Sequence, residues 1–191
     1  MAVKGVAVLG SATPPGRLRR VVEEAIGRAA ATGTAELRLL DLAECEVGFA
    51  GSPPPGDDGP REREAALEAV AEAGIVILAT PVYRGSMTGV LKNLLDLTPV
   101  EALRGKPVGL IAMGASDHHF LGAERHLRDV LAFFGAAVAP VAVYANSQLM
   151  VDGLASPELA AQVDALVARL AASVAVLEGL PPGPPPIGAP H

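Results

Sequence analysis

Short apolar runs alternate along the chain with longer segments in which apolar residues recur every three or four positions. Nearly continuous apolar runs are typical of strands buried on both faces of a sheet, whereas apolar–charged alternation is typical of a strand with one face in solvent. Pro140 lies inside the last run, and its missing N–H group favours the edge of a sheet. The five predicted strands are residues 3–9, 35–40, 75–80, 107–113 and 137–144.

The segments that follow these strands have the apolar spacing of amphipathic helices. Ser156 is placed to cap the last of them and Gly179 to end it. Because strands and helices alternate, we predict an α/β fold with a doubly wound, five-stranded parallel sheet of order 2-1-3-4-5 and helices on both faces. The helical stripes run through residues 18–29, 61–73, 87–95, 127–134 and 159–174.

The composition fits one domain with a sizeable core, because 50% of the 191 residues are apolar and the mean hydropathy is +0.38. We expect that domain over residues 1–179 and a disordered Pro/Gly-rich tail over residues 180–191. The net charge of −6 argues against nucleic-acid binding, and the single cysteine, Cys45, excludes an internal disulfide. No apolar run reaches the length of a signal peptide core or a membrane span, so we expect a cytoplasmic protein.

In sheets of this order, ligands bind beyond the carboxyl ends of the strands, between the first and third strands. Residues 10–17, GSATPPGR, join the first strand to a helix. Their spacing fits neither the NTPase phosphate loop nor the dinucleotide-binding fingerprint. A monophosphate held by Ser11, Thr13, backbone N–H groups and Arg17 fits better, which indicates a mononucleotide such as FMN. An ordinary turn with a solvated arginine is the alternative.

Residues 81–88 follow the third strand, and Pro81 ends that strand. Tyr83 is placed to cover or edge a flavin ring, and the backbone around it to hydrogen-bond the polar edge of that ring. Ser86 is predicted to cap the next helix. The alternative is a plain turn in which Tyr83 packs on its own fold.

Residues 114–119 follow the fourth strand. Ser116, Asp117 and His118 are too close in sequence to form a hydrolase triad, and there is no nucleophile elbow. The histidines lack a supporting carboxylate or cysteine pattern, so no metal site is predicted. One of them is expected to hydrogen-bond a ligand carbonyl or to cap the fourth helix.

Several segments carry a family resemblance. GSATPPGR, residues 10–17, resembles the family's Gly-Ser…Ser-Arg phosphate loop. TPVYRGSMTGVLKNLLDLTP, residues 80–99, resembles the segment that marks NADPH-dependent FMN reductases of the flavodoxin-like fold. GASDHHFLGAERHLRDVLAFFGA with the later YANSQL resembles the subgroup that supplies reduced FMN to two-component alkanesulfonate-type monooxygenases. The resemblance covers about residues 3–150.

The resemblance implies FMN in the three loops, with Gly16 standing where relatives usually carry serine. A second departure from the relatives lies in the fourth helix. The FMN-supplying subgroup can carry an extra aromatic residue and a π-bulge there, at a place that falls here on Arg125 or His126. The implied flavin-binding residues are Ser11, Thr13, Gly16, Arg17, Leu18, Pro81, Val82, Tyr83, Arg84, Gly85, Ser86, Gly114, Ser116 and His119.

The activity that follows is hydride transfer from NADPH or NADH to FMN, with the chemistry supplied by the cofactors and no catalytic residue named. Arg84 is expected either to stabilise the reduced ring or to steer NADPH phosphates. The alternatives are a reductase that retains FMN and reduces quinones or azo dyes, and a flavodoxin-type electron carrier. A homodimer or homotetramer through the apolar helix at 87–97, and a monooxygenase as partner, are also expected.

Overall fold

A parallel sheet forms the centre of the molecule. The computed structural model describes residues 2–13, 16–116, 120–180 and 184. The strands run in the order β2-β1-β3-β4-β5, with β6 also paired to β4, which confirms the predicted order and direction. These strands are β1 (Val3–Leu9), β2 (Ala35–Asp41), β3 (Ile75–Pro81), β4 (Pro107–Met113), β5 (Ala137–Val138) and β6 (Val143–Ala145).

The register brings the carboxyl ends of the central strands to one edge. Leu9 of β1 pairs with Ala79 of β3, and Pro81 of β3 pairs with Met113 of β4. Gly5 of β1 lies where a Cβ would be 2.5 Å from Ile75, so the glycine permits the close approach of the two strands. The loops that follow β1, β3 and β4 therefore leave the sheet side by side.

The predicted fifth strand is wrong as a continuous element. It is split into β5 and β6. The Ala139 N–H group still donates to the Val108 carbonyl over 2.8 Å, and residues 140–142 leave the ladder. Pro140 has no N–H group to donate, and Arg128 instead donates to the carbonyls of Ala139 and Pro140, each over 2.9 Å. A helix side chain thus replaces the missing strand partner at this edge.

In the described residues, five α-helices cover the two faces of the sheet. Buried apolar residues of α1 and α5 pack on one face, and those of α2, α3 and α4 pack on the other. Ser156 accepts a hydrogen bond from the Leu159 N–H group, and Gly179 ends the last helix, as predicted. The helices are α1 (Arg17–Thr32), α2 (Gly59–Glu72), α3 (Gly89–Leu97), α4 (Phe120–Phe134) and α5 (Pro157–Glu178).

The predicted cap of α3 is wrong. Thr88, and not Ser86, precedes the helix and accepts a hydrogen bond from the Leu91 N–H group over 3.3 Å. Ser86 lies earlier, in a tight turn, so α3 begins at Gly89 rather than at Met87. A short antiparallel hairpin, β7 (Met150–Val151) with β8 (Leu154–Ala155), was not predicted.

Helix α5 is 22 residues long and, by length and composition alone, apolar enough to cross a membrane. Its stripe of buried residues instead packs against the sheet and α1. That is the arrangement of an amphipathic helix that packs one stripe on a sheet. The buried residues are Leu159, Val163, Leu166, Val167 and Leu170.

Candidate functional site

The loops after β1 and β3 and the end of β4 enclose a cavity of about 170 Å³ at the carboxyl edge of the sheet. Seven of the predicted site residues line this cavity, together with the last residues of β1 and β4 and one further arginine of α1. The cavity lies at the switch point between β1 and β3, where ligands bind in sheets of this topology. The lining residues are Leu9, Ser11, Thr13, Gly16, Arg17, Leu18, Arg19, Pro81, Tyr83 and Met113.

The loop after β1 presents two hydroxyl groups beside a helix N-terminus. Ser11 Oγ and Thr13 Oγ1 lie 3.1 Å apart, and the Thr13 N–H group donates to Ser11 Oγ over 3.4 Å. Gly16 precedes α1 with an extended backbone, and no side chain of the described residues caps the helix. The N–H groups of the first helical turn are therefore available to a ligand.

Three arginines in the first turns of α1 differ in their partners. Arg19 forms ion pairs with Glu23, Asp41 and Glu44, and the hydrogen bonds to Glu23 and Glu44 raise the pKa of its guanidinium. Arg20 donates to the Gly153 carbonyl over 3.3 Å. Arg17 is exposed and makes no hydrogen bond or ion pair within the described part of the chain.

This placement of cations is unfavourable for an isolated helix. The positive end of the helix dipole lies at the N-terminus, and the first turn of α1 contains no acidic residue. Asp41 and Glu44 compensate the charge of Arg19, but no described carboxylate compensates that of Arg17. An anion beside Arg17 would be stabilised by both the guanidinium and the dipole.

Residues 83–86 form a tight β-turn, with Arg84 and Gly85 as its two central residues, that we call the site hairpin. The N–H groups of Tyr83 and Ser86 donate to each other's carbonyls over 2.9 and 3.0 Å. Arg84 and Gly85 between them have φ of 52° and 76°. A left-handed backbone is unusual for arginine and costs about 1 kcal/mol or more, so the surrounding structure must impose it. Tyr83 and Arg84 are both exposed at this tip.

The loop after β4 is held by Tyr144 of β6. The Tyr144 hydroxyl donates to the Ser116 carbonyl over 2.5 Å, and the Gly114 N–H group donates to the Ala145 carbonyl. A Cβ at Gly114 would lie 1.9 Å from the Tyr144 hydroxyl oxygen, so only glycine leaves room for it. Sequence reasoning missed this role, although Tyr144 is one of only two tyrosines in the chain.

The remaining predicted residues lie around the cavity rather than on its wall. The segment directly after Pro81, which lines the cavity, contains Val82, Arg84, Gly85 and Ser86. The loop after β4 contains Gly114 and Ser116. Asp117, His118 and His119 lie outside the described residues, so their roles stay predictions. Leu9, Arg19 and Met113 were not predicted as lining residues.

The chemistry of the wall is that of anion binding. The described residues that line the cavity carry hydroxyl and guanidinium groups but no carboxylate, imidazole or thiol. Nor does the described part of the chain contain a group of three or more His, Cys, Asp or Glu residues that could hold a metal ion. These groups can bind and orient a phosphorylated ligand, and none of them is a general base near neutral pH.

Comparison with known proteins finds flavin reductases that are similar to this chain in sequence. An NAD(P)H-dependent FAD/FMN reductase of Geobacillus thermodenitrificans is 37% identical over 112 residues, which cover 59% of this chain and 60% of that relative. An NADH-dependent FMN reductase, SfnE, of Pseudomonas putida is 34% identical over 172 residues, which cover 90% and 89% of the two chains.

A solved NADH:FMN oxidoreductase in its apo form superimposes with a TM-score of 0.77 at 24% identity, covering 100% of this chain and 97% of the other; this likeness concerns the fold, which is flavodoxin-like. The family model described as NADPH-dependent FMN reductase matches residues 3–149, a stretch that contains the whole cavity wall. The chain therefore belongs to the NADPH-dependent FMN reductase family.

Proposed function

We propose that the protein acts in the cytoplasm as an NAD(P)H-dependent FMN reductase, and that the cavity beside α1 holds the phosphate of FMN. The observation that supports this assignment is the arrangement of Arg17. It is an unpaired cation within the described structure, beside two hydroxyl groups and an uncapped helix N-terminus. A phosphate would receive charge-assisted hydrogen bonds from these groups.

The size of the cavity limits which part of FMN it can hold. Ligand clefts for whole drug-sized molecules usually measure about 300–1,000 Å³. At about 170 Å³, this cavity suits the phosphate and the adjoining chain. The ring would then lie along Pro81 and Tyr83, beside the site hairpin. When bound, the flavin supplies the acceptor for a hydride from NAD(P)H.

Exposure at this site favours FMN as an exchanging substrate. Ser11, Thr13 and Arg17 are all exposed or half-exposed, and charge pairs in solvent contribute little to affinity. A flavin held in this way dissociates readily after reduction. We therefore infer that reduced FMN leaves the protein and serves a flavin-dependent monooxygenase, in accordance with the sequence resemblance.

A homo-oligomer through α3 and α4 belongs to the same proposal. Val90 and Leu97 of α3 remain half-exposed, and Phe133 of α4 is 48% exposed. Val90 and Leu97 pack partly against the apolar layer of α2, α3 and α4, to which the helix of Phe133 also belongs. Covering them with a second copy would remove apolar surface from water.

The test is oxidation of NADPH and of NADH by the purified protein, with and without added FMN. We expect a colourless preparation that oxidises one of the two nucleotides only when FMN is added. A yellow protein that requires a quinone or dye as acceptor would contradict the substrate role of FMN. No oxidation with either nucleotide would contradict the reductase function as a whole.

The role of Arg17 is tested by Arg17→Ala, with Arg38→Ala as a matched control. Arg38 is also exposed and has no partner within the described structure, but it lies on β2. Loss of this solvent-exposed phosphate contact should weaken FMN binding about three- to fivefold, measured by quenching of flavin fluorescence. Arg38→Ala should leave the dissociation constant unchanged. Equal affinity in both variants would remove Arg17 from the site.

A further inference from the structure

Helix α4 approaches the site hairpin at van der Waals distance. A Cβ added to Gly122 would lie 2.0 Å from the Gly85 carbonyl oxygen and 2.9 Å from its carbonyl carbon. Separations under 3.0 Å are essentially never observed for real Cβ atoms, and both of these contacts are with backbone. Any side chain at position 122 must therefore push the hairpin and the helix apart.

A second contact joins the same two elements one helical turn further on. His126 Nδ1 lies 2.8 Å from Ser86 Oγ. Residues 122 and 126 are four positions apart, so they lie on one face of α4. In the described structure, α4 is a regular α-helix through Arg125 and His126, which agrees with the departure from the subgroup noted at this place.

The hairpin needs such support. Its own backbone contributes the two hydrogen bonds between Tyr83 and Ser86, and the Val82 N–H group adds one to the Met113 carbonyl. Against these stands the left-handed conformation of Arg84. The contacts with α4 are thus a substantial part of what fixes the hairpin beside the cavity.

We propose that Gly122 and His126 are positioning residues. They set the distance between the site hairpin and α4, and thereby the fit of the FMN ring against Tyr83. This inference rests on the proposed function, because it assigns the ring to the surface beside the hairpin. Gly122 supplies the room for the Gly85 carbonyl, and His126 holds the Ser86 hydroxyl.

The principal experiment compares Gly122→Ala with Gly27→Ala. Gly27 is also a helical glycine, but a Cβ there would have nothing within 4 Å. Amide hydrogen exchange of the peptide that contains Tyr83 and Ser86 is measured without flavin, and FMN affinity is measured by fluorescence quenching. Thermal unfolding midpoints identify variants that fail to fold.

We expect exchange in this peptide to quicken and FMN affinity to fall, each by about tenfold or more, in Gly122→Ala alone. Unchanged exchange or unchanged affinity in a folded Gly122→Ala protein would overturn the proposal. If the wild-type protein does not bind FMN, the proposed function fails. If the wild-type protein binds FMN and Gly122→Ala binds it equally tightly, only the positioning role is overturned.

His126 is tested by His126→Asn and His126→Leu. The asparagine amide can still hydrogen-bond the Ser86 hydroxyl, whereas leucine cannot. We expect His126→Leu to raise KM for FMN several-fold with little change in unfolding midpoint, and His126→Asn to restore most of the wild-type value. Equal KM in the leucine and wild-type proteins, or no rescue by asparagine, would exclude the hydrogen bond as a positioning contact.

Discussion

At the scale of single residues, Tyr144 has the clearest structural consequence for the site. Its hydroxyl is bonded to the Ser116 carbonyl, and Gly114 leaves the space in which it sits. Tyr144→Phe removes this donor from a partly buried acceptor. We expect a loss of about 1 kcal/mol in the free energy of unfolding, measured by urea denaturation.

Tyr83→Phe is the matched control for that prediction. The Tyr83 hydroxyl makes no hydrogen bond within the described residues, and its side chain is 45% exposed. Its removal should change the free energy of unfolding by no more than about 0.5 kcal/mol. Equal losses in the two variants would mean that the hydroxyl of Tyr144 does not hold the loop after β4.

At the scale of elements, Thr88 joins three of them at the base of the site. Its hydroxyl caps α3 and donates to the Gly10 carbonyl at the end of β1 over 2.6 Å. Its N–H group donates to Thr80 Oγ1 at the end of β3 over 3.2 Å. Thr88 is 1% exposed, so water cannot replace these bonds.

Thr88→Val keeps the shape of the side chain and removes its hydroxyl. Loss of the helix cap and of a partner for the buried Gly10 carbonyl should together lower the free energy of unfolding by about 2–3 kcal/mol. Thr88→Ser retains the hydroxyl and should lose less than half as much. Urea denaturation measures both variants. A valine variant as stable as the serine variant would contradict the role of the Thr88 hydroxyl in joining α3 to β1.

The difference between Thr88 and Ser86 shows how far sequence reasoning reaches. Both hydroxyl residues precede α3 by a few positions, and the pattern alone favoured Ser86. The turn at Arg84 and Gly85 engages the Ser86 backbone instead, which moves the helix start to Gly89. Local pattern predicted the elements and their order because burial and periodicity set them. It did not predict how a tight turn shifts a boundary.

The candidate site likewise has a part that sequence reasoning could predict and a part that it could not. That Ser11, Thr13 and Arg17 line one cavity was predictable, because a strand, a short loop and a helix follow one another in sequence. The contacts of Tyr144 with Ser116 and of Gly122 with Gly85 join segments that are distant in sequence. Such contacts depend on how β6 and α4 pack, which neither periodicity nor motif spacing specifies.

At the scale of the whole molecule, two apolar layers enclose the sheet. Residues of α1 and α5 form one layer, and residues of α2, α3 and α4 form the other. Among the described residues, neither layer includes a side chain beyond Val174, and Gly179 with Leu180 closes α5. This agrees with a domain boundary at residue 179, and we predict that the tail after it adds nothing to the core.

A chain that ends at Leu180 tests this boundary. We expect its free energy of unfolding to lie within about 0.5 kcal/mol of the full-length value, because neither described apolar layer includes a side chain beyond Val174. Its rate of FMN reduction should also be unchanged. A chain that ends at Ala165 is the control, since it lacks Leu166, Val167 and Leu170.

The control should not fold. Each of its three missing side chains is at most 5% exposed, and burying one such side chain contributes about 1.5–3 kcal/mol. Their sum approaches the whole stability of a typical domain, about 5–15 kcal/mol. If the chain ending at Leu180 lost stability, the tail would pack on the core. If it stayed folded but lost FMN reduction, the tail would belong to the active site, and the domain would extend beyond residue 179.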